Sequence, residues 1–89
     1  MTTNNRAVGS AAQDPMDKSV SRVLRELLHD SPLNQKDVAV TSGIAPRTLM
    51  RVLNGQRPAT LGEVRLLAAV FDTTAAKIAA DAEWLLQRD

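Results

Sequence analysis

Arg47, Arg51 and Asn54 recur at steps of four and three residues, with Thr48 and Met50 between them. At about 100° per residue, an α-helix puts Arg47, Arg51 and Asn54 on one side, with Met50 at their edge, and sets Leu49, Val52 and Leu53 on the other. Guanidinium is a fork of N–H donors that can bond guanine O6 and N7 together, each such bidentate pair contributing roughly 1–3 kcal/mol of discrimination between bases. A helix that packs through leucine and valine while offering two arginines outward has the build of a reader of the major groove of B-DNA. Arg47 and Arg51 are one turn apart, so neighbouring base pairs fall within their combined reach. Thr48 or Met50 can meet a thymine methyl.

Such a helix needs firm ends and a neighbour to set its angle, and the flanking residues supply both. Pro46 suits a first helical position because its φ is fixed and its missing N–H is not needed there, and Asn54 precedes Gly55 at the other end. Upstream, Asn34 is an N-cap candidate with Asp37 three residues on, and Leu33 can staple onto Val38. That preceding helix runs to about Ser42. Gly43 then stands where a left-handed C-cap is expected, and Ile44 can fold back on Val38 or Ala39. Two short helices joined at a tight glycine corner are thus predicted between residues 33 and 58.

The rest of the chain reads as helix around this pair. Residues 1–13 are polar and aperiodic and are expected to form a flexible tail, leaving 14–89 as one helix-turn-helix domain. Asp14 and Pro15 open a first helix in which Val20, Val23, Leu24, Leu27 and Leu28 recur at helical spacing up to Ser31-Pro32. Thr60 and Glu63 form a capping box before a stripe of Leu61, Val64, Leu67, Ala68 and Phe71. Thr73 or Thr74 caps a fifth helix buried through Ala75, Ile78, Ala82 and Leu85. Trp84 lies off that stripe, either as an anchor for a protein partner or as a lid curled back over the first or fifth helix. Strand signals and internal repeats are missing, so the expected fold is all-α, a compact five-helix domain.

Composition narrows the function. Zero cysteines and one histidine in 89 residues rule out a disulfide framework and any ordinary zinc site, so packing alone must hold the core. No apolar run reaches the roughly 18 residues of a membrane span, and the N-terminus lacks a signal-peptide core, so a cytoplasmic protein without membrane contact is expected. His29 beside Asp30 and Ser31 makes no catalytic site, since neighbours near a helix end do not converge on one reacting atom. The glycines at 9, 43, 55 and 62 are too scattered to cradle a phosphate. No enzyme activity, cofactor or metal is expected. The overall charge of +1 conceals a polarity: Lys36, Arg47, Arg51 and Arg57 stand against Asp37 alone in 33–58, a net +3, while 59–89 sum to −2.

The order of five helices, with Leu33, Gln35, Val38, Ala39 and Gly43, then Thr48, Leu49, Val52, Asn54 and Gly55, then Arg57, Pro58, Leu61, Leu67, Ala68 and Phe71, resembles the lambda-repressor-like domain of Cro/CI or Xre-type regulators over about residues 17–80. The resemblance implies that helices two and three form the helix-turn-helix. Gln35 would contact a DNA phosphate and brace the reading helix; Pro46, Arg47, Thr48 and Arg51 would face base edges; Asn54 and Arg57 would touch the sugar-phosphate backbone. Asn34 and Lys36, at the start of the second helix, are placed with the backbone contacts on physical grounds. The implied function is sequence-specific regulation of transcription, as a repressor of phage or prokaryotic type on a double-stranded operator. A homodimer on a palindromic site fits, because one helix covers only a few base pairs. The alternative reading is an antitoxin or protein-interaction module on the same fold.

Overall fold

The computed structural model describes residues 14–88; the tail expected at 1–13 lies outside them. Five helices follow in order: α1 (Pro15–Asp30), α2 (Gln35–Ser42), α3 (Pro46–Leu53), α4 (Leu61–Val70) and α5 (Ala75–Arg88), with no strand among the described residues. No helix among them is long and apolar enough to cross a membrane.

Local chemistry explains where each helix begins. Asp14, Asn34 and Thr60 each accept from a backbone N–H of the first turn, while Asp17, Asp37 and Glu63 return a bond to the cap's own N–H. Thr74, not Thr73, caps α5, accepting from the Lys77 N–H at 3.0 Å. Pro46 opens α3 without any side-chain cap, as its locked φ and absent donor allow. The α2–α3 corner turns on Gly43 at φ 78°, whose N–H bonds Ala39 carbonyl. Ser42 ties the corner down by accepting from Ile44 N–H at 3.2 Å.

The core joins all five helices through Val23, Leu24, Val38, Leu49, Val52, Leu67 and Ile78, with Ala39, Ala68 and Ala82 at the close approaches. α1 packs on α3 and α5, α2 on α3 and α4, and α4 on α5. Met16 shares a groove with Ala75 and Leu27 shares one with Trp84, so α1 and α5 run side by side in the same direction. Ile44 is buried as the corner reading requires.

The expected stripe of α4 needs correction at its ends. Leu61 is 79% exposed: it opens α4 at the edge of the stripe, on the rim of a groove with Met16, Val20 and Ala79, and the burial begins one turn later at Val64. Phe71 closes the helix half-buried, against the core edge rather than within it.

Candidate nucleic-acid interface

The short helix α3 is fixed from beneath. Leu49, Val52 and Leu53 are 0%, 1% and 5% exposed, and each such side chain contributes about 1.5–3 kcal/mol by leaving water. Pro46, Arg47, Met50 and Arg51 are exposed, as is the C-capping Asn54. Thr48 is half-buried between the two faces. Among the described residues, Arg47, Arg51 and Lys36 have no ion-pair partner. Asn34, Gln35 and Lys36 are exposed together at the start of α2, where α2 also presents its free N–H groups.

Two residues that sequence reasoning missed hold the far end of α3. The Ser21 hydroxyl donates to Val52 carbonyl at 2.7 Å in a buried position, and Arg25 Nη1 donates to Leu53 carbonyl at 2.6 Å. Both reach across from α1. The Arg25 bond satisfies a carbonyl at the helix C-terminus, the Ser21 bond adds to the one that Val52 carbonyl accepts from Gly55 N–H at 3.1 Å, and the guanidinium also sits at the negative end of the helix dipole. The only signal in the sequence was their spacing of four, which sets a serine and an arginine on one flank of α1.

Arg57 is placed differently from a free backbone contact. Its Nη1 and Nη2 donate to the Glu63 carboxylate at 2.9 and 2.8 Å, and Nη1 also donates to Pro58 carbonyl at 2.7 Å. Glu63 in addition accepts from Thr60 N–H at 2.9 Å. One carboxylate thus caps α4 and anchors the loop that leaves α3. Arg57's hydrogen bonds hold the Glu63 carboxyl below its ordinary range, burial opposing and the Thr60 bonds assisting. The fork–fork pairing leaves Arg57 its Nε–H and part of Nη2 to offer outward.

The remaining candidates resolve simply. His29 Nδ1 lies 3.5 Å from the Asp30 carboxylate with both side chains almost fully in water, a surface arrangement. No group of three or more His, Cys, Asp or Glu among the described residues could hold a metal ion. Trp84 is 55% exposed and carries the Arg88 guanidinium 4.5 Å above its ring.

What the geometry provides is a firmly seated short helix with cationic donors outward, next to the amide-rich start of a second helix. Comparison with known proteins agrees with that construction. A family model described as helix-turn-helix matches residues 24–78, which takes in the second half of α1, all of α2, α3 and α4, and the start of α5. Comparisons with curated proteins and with solved structures return no match. With more than half of its length matched and an all-helical architecture to fit, the chain belongs to the Xre/Cro/CI-type helix-turn-helix family of DNA-binding domains.

Proposed function

We propose that the protein is a sequence-specific regulator of transcription, acting as a repressor, that reads the major groove of duplex DNA with α3. The observation that carries this reading is the pair Arg47 and Arg51, exposed and without an ion-pair partner among the described residues, on a helix whose other face is sealed into the core. Both guanidiniums address base edges, with Thr48 and Met50 giving apolar contact to thymine methyls and Pro46 setting the approach of the first turn. Gln35, Lys36 and Asn34 take phosphates at the start of α2, and Asn54 and Arg57 take the backbone beyond α3. Arg57 does so with its charge already offset by Glu63, so it contributes position more than affinity.

A second copy on a two-fold site completes the reading. Leu61 supports this: it is the most exposed of the large apolar side chains described, on a shallow apolar groove with Met16, Val20 and Ala79, just past the loop that leaves α3. Asp17 lines the same groove, and Arg65 stands one helical turn from Leu61, so the patch holds both charges as well as knob and hole. A two-fold interface must be self-complementary in this way.

Selection of bound duplexes from a random pool tests the proposal and reports the symmetry of the site. Arg47→Ala and Arg51→Ala should each flatten the selected preference by roughly 1–3 kcal/mol at the affected base pair, and affinity should fall steeply with salt. If chemical shifts of residues 46–54 stay undisturbed in the presence of duplex while another surface responds, the assignment of α3 as reader is wrong.

A further inference from the structure

The geometry points to a second recognition surface, a groove between the C-terminal halves of α1 and α5 that takes a cationic, amphipathic peptide segment of a partner protein. The groove encloses about 310 Å³ over a floor of Val23, Leu27 and Leu85, with Trp84 as one wall. Glu26, Asp30 and Asp81 edge it, and no lysine or arginine lines it. Because α1 and α5 run in the same direction, the negative ends of both helix dipoles lie toward this end of the bundle and reinforce the carboxylates.

The chain's own side chains meet these carboxylates only at the surface. Arg22 stands 3.4 Å from Glu26, His29 3.5 Å from Asp30 and Lys77 2.7 Å from Asp81, every one of these side chains well exposed. Exposed pairs of this kind contribute little net stability, so an incoming cation can replace them at small cost. Trp84 shows the same preference in its present contact: Arg88 stacks on its face, and a guanidinium or ammonium from a partner would find that face equally favourable. An apolar residue for the floor and flanking Lys or Arg for the rim define the ligand.

The groove is also independent of the nucleic-acid face. Val23, Leu27 and Asp30 lie on the side of α1 turned away from Ser21 and Arg25, which hold α3. DNA and peptide can therefore be bound together.

Trp84 is the chain's only tryptophan, so its emission reports occupancy directly. The probe is a helical peptide of leucine and lysine, about 14 residues or four turns long, titrated beside a counterpart with glutamate for lysine. The Leu/Lys peptide should shift Trp84 emission to the blue and bind with a dissociation constant of about tens of micromolar, and added salt should weaken it. The combined variant Glu26→Gln, Asp30→Asn, Asp81→Asn should bind about tenfold more weakly while unfolding at an unchanged temperature. An unresponsive Trp84, an equal response to the Leu/Glu peptide, or full binding by the neutralised variant would each overturn the proposal. So would an emission shift in the protein alone that grows with concentration alongside a doubled mass, which would give the groove to a second copy.

Discussion

Arg25 and Arg51 are both arginines at the C-terminal end of α3, one arriving from α1 and one carried on the helix itself, and alanine at either removes the same charge. Their consequences should separate. Arg25 Nη1 holds Leu53 carbonyl at 2.6 Å in a part-buried bond. A hydrogen bond from a charged donor contributes about 1.5–3 kcal/mol when well shielded. Discounting by half for solvent, and adding about 0.3–1 kcal/mol for a cation at a helix C-terminus, Arg25→Ala should cost about 1–2.5 kcal/mol. For a domain of this size that lowers Tm by about 4–20 °C. Among the described residues the Arg51 side chain has no ion-pair partner, so Arg51→Ala should stay within about 0.5 kcal/mol. Binding to the selected duplex reverses the order. A domain with an unfolding free energy of about 5 kcal/mol or more remains almost wholly folded after losing about 2.5, so Arg25→Ala should bind nearly as wild type well below its Tm. Arg51→Ala should lose about 1–3 kcal/mol of discrimination. Thermal unfolding by circular dichroism and duplex titration by fluorescence anisotropy measure the two axes. If Arg25→Ala unfolds at the wild-type temperature, the tether to Leu53 does not hold α3; if it loses discrimination as Arg51→Ala does, Arg25 meets DNA itself.

Other outcomes follow from the same geometry. Because Glu63 has a folded pKa below its unfolded value, its contribution is complete above the unfolded value near 4.5 and is lost as pH falls through the folded one, so acid titration of stability should be shallower in Glu63→Gln below about pH 5. Leu49→Ala should destabilise by about 2–5 kcal/mol in urea unfolding, since that side chain is fully buried under α3. Gly43→Ala meets no atom within 4 Å, so its cost is the positive φ alone, about 1–2 kcal/mol by thermal unfolding, and Gly43→Asn should cost less. Lys36→Ala should reduce the slope of log affinity against log salt by about 0.9, one released counterion, whereas Arg57→Ala should change it by less because Glu63 already balances that charge.

What could be read directly from the residues was whatever depends on near neighbours. Asn34 with Asp37 and Thr60 with Glu63 are capping boxes because the bonds close within three residues, and Gly43 is a corner because its φ is set locally. The division of α3 into buried and exposed sides follows from helical periodicity, which is why the candidate readers could be named. Leu61 was misplaced for the complementary reason. Periodicity assigns a residue to a face without saying how closely the neighbouring helices approach it, and Leu61 stands on the rim of a groove that α1 and α5 line. Arg57 was legible as a cation after the reading helix but not as a partner of Glu63, because the two meet through a loop whose path periodicity does not describe.

The same limit has a functional consequence at Ser21 and Arg25. A helix of eight residues is too short to be stable by itself in water, so the direction in which its arginines point is set by what grips it from outside. The core side chains seal one face and set that direction, and the carbonyls at its end are where a polar grip adds to the hold. Ser21 and Arg25 supply it from a helix more than twenty residues earlier, at separations of 31 and 28 residues along the chain. The proposed base readers advertise themselves by type and spacing, whereas the residues that hold their helix are an ordinary serine and arginine until the fold brings them to a carbonyl. The seat of α3 therefore rests on α1 as well as on its own apolar face, and Ser21→Ala should lower Tm while leaving the selected site unchanged, because Leu49, Val52 and Leu53 still fix the face that α3 presents.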